Sequence, residues 1–273
     1  MRTPRALFPV LMALIATAVL AAPAQAAPLA GKYVALGDSY ATAPGTRTYD
    51  DVNDPCRRGP LTYSRLWAAA HPSVAFVEAS CSGARTTDLV SNQLPLVTAD
   101  TTLITLQVGG NDVGFVDVLK NCILTIDDRD CVNGVEAAKS AATTYLSPAL
   151  AQVYAAVRAK APSARVIVVG YPRLYTIRGT CGIFGLSDTE RTALNSAADT
   201  LAAVMSQRAA EAGFTFLDAR PVFDPHSLCS SGTKWVTSLE WDKINESYHP
   251  NAAGHRDGYL PALNALTAGI AAA

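Results

Sequence analysis

Ser39 stands in Gly37-Asp38-Ser39-Tyr40, directly after the apolar run Tyr33 to Leu36. A serine at the carboxyl edge of a parallel sheet sits where ligands bind in that architecture, and the glycine before it permits a tight turn that exposes the hydroxyl. The chemistry open to it is nucleophilic attack. Its other use is as a helix N-cap, but the residues that follow carry Pro44, Gly45, Pro55 and Pro60 and do not continue as a helix. A serine is a poor nucleophile near neutral pH and needs a base within hydrogen-bond reach. Of the four histidines, His71 precedes Pro72 at a helix end, His226 lies in an Asp-Pro-His turn and His255 falls inside the last helical stretch. His249 differs: Glu246-Ser247-Tyr248-His249-Pro250 ends a long loop, with proline placed where a helix would begin. It is the candidate base.

Acyl transfer also needs donors aimed at the oxyanion that forms when a carbonyl is attacked. After the second apolar run comes Ser80-Cys81-Ser82-Gly83-Ala84, and after the third comes Gly109-Gly110-Asn111-Asp112. A glycine lets its N–H approach a substrate closely, and an asparagine adds a side-chain donor. Ser39, Gly83 and Asn111 follow three successive strands at the same edge, so in the order 2-1-3 the nucleophile's strand is flanked by both donor strands.

The elements that must position these residues are five short runs: Tyr33 to Leu36, Val74 to Val77, Leu103 to Val108, Arg165 to Val169 and Phe214 to Leu217. They read as buried parallel strands. Helical patterns lie between them at 62–70, 85–93, 135–160 (interrupted by Pro148), 188–212 and 251–271. Strand and helix in alternation predict an α/β doubly wound fold, a five-stranded parallel sheet sandwiched between helices. Segments 40–61, 121–134 and 218–248 read as long loops that build a site.

The 273 residues are 49% hydrophobic and 16% charged, which excludes disorder, collagen and coiled coil. Arg2 and Arg5, the apolar run Ala6 to Ala22 and Ala24-Gln25-Ala26 form an export signal over 1–26, leaving a single domain over 27–273. No second long apolar stretch follows, so no stable membrane anchor is expected. Removing the leader takes the net charge from −1 to −3, which offers nothing to nucleic acid. Cys56, Cys81, Cys122, Cys131, Cys181 and Cys229 give the even count of an exported, disulfide-bonded chain. Six cysteines allow fifteen pairings, of which the sequential set closes the shortest loops. With no C-x-x-C, H-E-x-x-H, Walker A or G-x-G-x-x-G motif, neither metal nor cofactor is called for.

Together the four blocks resemble the SGNH hydrolases, the GDSL esterase/lipase family: Gly37-Asp38-Ser39, Gly83, Gly109-Gly110-Asn111-Asp112 and His249, in order over residues 33–255. The resemblance implies a flavodoxin-like strand order 2-1-3-4-5, Ser39 as nucleophile, His249 as base, and Ser39, Gly83 and Asn111 as the oxyanion hole. The three sequential disulfides look like those of secreted actinomycete-type lipases and esterases of this family. Family members usually place an aspartate three residues before the histidine, where this chain has Glu246, and some similar secreted members use a carbonyl. The Glu246 side chain, a main-chain carbonyl of Glu246 or Ser247, or a distant acid are the competing partners for the imidazole.

The implied activity is that of a secreted carboxylic ester hydrolase acting on lipid or other acyl esters through an acyl-enzyme, with phospholipase A as a variant and a monomer expected. A non-catalytic binding protein on the same fold and a carbohydrate deacetylase are the alternatives. Phe115, Leu119 and Phe184 lead the candidates to line an acyl groove, with Val116, Ile123, Leu174, Tyr175, Ile183 and Leu186 beside them.

Overall fold

Branched and aromatic residues on both faces of five short strands bury them between two layers of helices. In the computed structural model, which describes residues 31–178 and 185–268, the strands are β1 (Gly31–Gly37), β2 (Val74–Glu78), β3 (Thr101–Gln107), β4 (Arg165–Val169) and β5 (Thr215–Leu217). They form one sheet in the order β2-β1-β3-β4-β5, parallel throughout, which is the order the family resemblance implies. The two-residue period of a strand assigns its side chains to alternate faces. Tyr33 and Ala35 of β1 join Tyr63 and Trp67 of α1 (Tyr63–Ala70) on one face. Val34 and Leu36 point the other way, into a cluster with Leu150 and Tyr154 from the helix at Ser147–Lys160.

The remaining helices follow in chain order: α2 (Thr86–Asp88), α3 (Phe115–Leu124), α4 (Asp128–Ala141), α5 (Ser147–Lys160), α6 (Asp188–Glu211), α7 (Arg220–Phe223) and α8 (Leu260–Thr267). Capping decides several boundaries. Thr62 accepts the Arg65 N–H ahead of α1, and Ser187 with Glu190 forms a reciprocal capping box ahead of α6.

Three sequence expectations change. Segment 121–134 is a helix–turn–helix rather than a loop: α3 runs to Leu124, and Asp127 caps α4 by accepting the Arg129 N–H at 3.0 Å. The dense charge of Asp127 to Asp130 hides an N-cap followed by acidic residues that favour a helix start. Pro148 does not interrupt the 135–160 stretch, because a widened turn at Ala142–Leu146 delivers it to the start of α5, where a missing N–H costs little. Pro250 does not open the last helix. It pairs with Val236 in an isolated antiparallel bridge, and helical structure starts beyond it.

Two expected disulfides are present, Cys56–Cys81 and Cys122–Cys131. Cys229 is also disulfide-bonded, while Cys181 lies outside the described residues, as do Ile183, Phe184 and residues 1–26, where the leader is expected. The Cys56–Cys81 bridge ties the loop after β1 to the loop after β2, where the Ser82 N–H donates to the Cys56 carbonyl at 3.1 Å. The bridge spans 25 residues, so the chain-entropy model assigns it about 3 to 4 kcal/mol. Replacing both cysteines with serine should lower the unfolding free energy by about that amount in denaturant titrations. It should also speed amide hydrogen exchange in the loop that carries Gly83, since that loop loses its tie to the loop after β1.

Candidate active site

The site is built where the strands end. At the tip of β1 the Gln93 side chain replaces a neighbouring strand: its Oε1 accepts the Gly37 N–H at 2.8 Å and its Nε2 donates to the Gly37 carbonyl at 2.8 Å. Gly37 has φ +154°, and a Cβ there would lie 2.6 Å from the Gln107 carbonyl oxygen, so only glycine allows the chain to turn so close to β3. The turn ends pairing and presents Ser39 at the edge of the sheet.

Ser39 Oγ lies 2.8 Å from His249 Nε2, and His249 Nδ1 lies 2.8 Å from the Ser247 carbonyl oxygen. A carbonyl only accepts, so Nδ1 carries the proton and Nε2 is free to take one from the serine. The carbonyl can face the ring because Tyr248 adopts φ +62°, a left-handed conformation uncommon for a non-glycine residue. Thr237 holds this bend: its Oγ1 donates to the Glu246 carbonyl at 2.7 Å and accepts the His249 N–H at 3.1 Å. The hydroxyl of Tyr40, beside Ser39, donates to the Tyr248 carbonyl at 2.6 Å, tying the Ser39 turn to the His249 turn.

The Glu246 carboxylate is turned away from this chain. Its Oε1 accepts from the Tyr49 hydroxyl at 2.6 Å, and it pairs with Arg47 at 3.5 Å and Arg57 at 3.6 Å. Of the partners considered for the imidazole, the Ser247 main-chain carbonyl is the one seated on Nδ1, at 2.8 Å, while the Glu246 carboxylate is engaged by Tyr49, Arg47 and Arg57.

Gly83 has φ +81°, and Asn111 Nδ2 donates to the Ala84 carbonyl at 3.0 Å, which joins the loops after β2 and β3 and leaves the second amide hydrogen for a ligand. Asp112 reinforces the join by accepting from the Thr86 N–H and hydroxyl. Ser39, Gly83, Asn111 and His249 line one cavity of about 430 Å³. Phe115, Leu119, Val116, Ile123 and Leu174 line the same cavity, whereas Tyr175 and Leu186 line a neighbouring one.

Tyr171 went unnoticed in the sequence. It follows the tip of β4, at the same edge as the other three turns, and that position was the available signal. Its hydroxyl accepts the Gly110 N–H at 3.3 Å and donates to Asp38 at 2.5 Å, while the Tyr40 N–H donates to the other Asp38 oxygen at 2.9 Å. Asp38 is buried beside Ser39, and burial pushes its carboxyl up to about 7 against the hydrogen bonds that oppose the shift. His71 caps α1 and stacks on Trp67, and His226 stacks on Trp235. His255 is buried and accepts the Tyr63 N–H. None of these three is part of the Ser39 site.

Burial dominates at His249 and pushes its imidazole down to about 4, with the hydrogen bond to the Ser247 carbonyl partly opposing it. A base works in its neutral form, so a lowered value extends activity toward acid. The acid limb of kcat/KM on a soluble ester should therefore fall well below 6.5, towards 4; a midpoint at 6.5 or above would contradict the burial argument. Tyr171→Phe should lower kcat by about tenfold or more with little change in KM, and should cost about 1 to 3 kcal/mol in denaturant unfolding, because it strands a buried carboxyl and the Gly110 N–H.

Residues 35–256 match the family model described as GDSL-like Lipase/Acylhydrolase. The chain is 46% identical over 246 residues to Lipase 1 of Streptomyces coelicolor, covering 89% of this chain and 90% of that one. Among solved structures, it is similar to phospholipase A1 from Streptomyces albidoflavus NA297, with a TM-score of 0.81 and 47% identity over 86% of this chain and 99% of that one. It is also similar to an extracellular lipase from Streptomyces rimosus, with a TM-score of 0.82 and 42% identity over 86% and 99% of the two chains.

Proposed function

The chain belongs to the GDSL-like lipase/acylhydrolase family, and we propose that it is a secreted carboxylic ester hydrolase that cleaves acyl esters of lipids through a Ser39–His249 dyad. The observation that carries this reading is the continuous line from the Ser247 carbonyl through both imidazole nitrogens to Ser39 Oγ, with both contacts at 2.8 Å. Lipase and phospholipase A1 are the names of its close relatives. The apolar cavity running from the serine past Phe115 and Leu119 suits a fatty acyl chain.

In the proposed cycle Ser39 attacks the ester carbonyl as its proton passes to His249 Nε2. The tetrahedral oxyanion is held by the Ser39 and Gly83 N–H groups and by the Asn111 amide, which Ala84 fixes in advance. Collapse expels the alcohol, protonated by His249, and leaves the acyl-enzyme. Water, activated by the same imidazole, then releases the acid. The Ser247 carbonyl maintains the tautomer throughout, but being neutral it stabilises the transient imidazolium less than a carboxylate would.

Export fits the same reading. A leader over 1–26 precedes a single domain over 27–273 that works as a monomer, and no helix among the described residues is long and apolar enough to cross a membrane. Ser39→Ala should abolish turnover of p-nitrophenyl esters without loss of folding. Glu246→Gln and Glu246→Ala should keep kcat/KM on such neutral esters within about tenfold, about 1.4 kcal/mol of transition-state stabilisation. A much larger loss in both would restore the Glu246 carboxylate as the partner of His249.

A further inference from the structure

The acyl cavity has a charge asymmetry that hydrolysis of a neutral ester does not need. Arg57, Lys120 and Lys139 line it, and among the described residues its sole acid is Asp38, buried behind the serine. Arg57 is the cation best placed to meet a substrate. It follows Cys56, whose carbonyl accepts the Ser82 N–H and whose sulfur is bonded to Cys81, so it sits against the loop that carries Gly83. Its backbone is fixed at φ +53°, with its carbonyl accepting the Ala43 N–H at 2.8 Å.

Its side chain is held as well. The guanidinium lies over the Tyr49 ring at 5.4 Å and 3.6 Å from Glu246 Oε1, the oxygen that also accepts from the Tyr49 hydroxyl. A guanidinium has five N–H donors, and one long ion pair leaves most of them for another anion. The side chain remains 35% exposed, so a ligand in the cavity can reach it. Glu246, which also pairs with Arg47, therefore acts at a distance from the imidazole: it holds Arg57 where that residue lines the cavity and limits its rotamers in advance of binding.

We propose that Arg57 is a specificity residue that takes the phosphodiester of a glycerophospholipid whose acyl ester is held at Ser39, with Glu246 and Tyr49 as its positioning residues. This rests on the ester-hydrolase reading above. In such a substrate the phosphate is separated from the scissile ester only by the glycerol carbons, which matches a cation beside the oxyanion loop. Arginine suits the task because its planar fork binds phosphate oxygens in pairs.

The test compares phosphatidylglycerol with diacylglycerol of the same acyl chains, both in nonionic detergent mixed micelles, using wild type, Arg57→Gln, Arg57→Lys and Glu246→Gln. The readout is the ratio of kcat/KM for phospholipid to that for diacylglycerol, which cancels any general loss of folded or active protein. Arg57→Gln should lower this ratio at least tenfold, chiefly through KM on the phospholipid. Arg57→Lys should lower it less, and Glu246→Gln should lower it in the same direction. Raising the ionic strength should reduce the wild-type ratio and leave that of Arg57→Gln nearly flat. An unchanged ratio in Arg57→Gln overturns the proposal, whether both activities fall together or neither does. A wild type that cleaves diacylglycerol but not phospholipid also overturns it while leaving the ester-hydrolase reading intact. A wild type inert on both, and on p-nitrophenyl esters, overturns the two together.

Discussion

A neutral imidazole held between a main-chain carbonyl and a serine hydroxyl is the constraint on which the rest of the site depends. A carbonyl cannot exchange protons, so it fixes the tautomer by geometry alone, and the geometry must be supplied by packing. Thr237 clamps the bend from both sides, Tyr248 accepts a left-handed conformation, and Tyr40 reaches across from the Ser39 turn. Burial then keeps the ring uncharged well below its ordinary range. A carboxylate partner would hold the imidazolium more strongly and would keep the ring's proton affinity higher. In this chain the imidazole is oriented by a dipole and dehydrated by its surroundings.

The same strand edge carries a second buried network that keeps Gly110 and Asn111 in register with the turn that presents Ser39. Tyr171 joins Asp38 to Gly110, and Asn111 and Asp112 join the loop after β3 to the loop after β2. Each link satisfies a polar group that the tight turns would otherwise leave unpaired, and unpaired groups in such a place cost more than a hydrogen bond returns. Fold and site are therefore stabilised by the same contacts. The disulfide between Cys56 and Cys81 extends the link to the loop that carries Arg57.

What could be read from the sequence follows from what local pattern encodes. The five apolar runs were legible as parallel strands because buried strands need continuous Val, Ile, Leu and Phe, their full order came only with the family resemblance, and the positions after them pointed to Ser39, Gly83 and Asn111. His249 was legible from its place at the end of a loop. The direction of the Glu246 side chain was not, because it is set by Tyr49 and Arg57, nearly two hundred residues away in the chain. The helices around Cys122 and Cys131 were hidden for a local reason: their capping acids look like a solvated loop until the helix behind them is seen. Tyr171 was missed because a tyrosine at a strand end is read as packing, although it lies at the edge where every other site residue sits.

The most direct test of the dyad is a crystal structure of the protein after reaction with a p-nitrophenyl alkylphosphonate, whose phosphorus mimics the tetrahedral carbon. The account predicts a covalent bond at Ser39 Oγ, a phosphoryl oxygen within hydrogen-bond distance of the Ser39 and Gly83 N–H groups and the Asn111 amide, the alkyl chain beside Phe115 and Leu119, and His249 Nδ1 still on the Ser247 carbonyl. Labelling elsewhere, a phosphoryl oxygen turned to solvent, or an imidazole that has moved onto a carboxylate would contradict it.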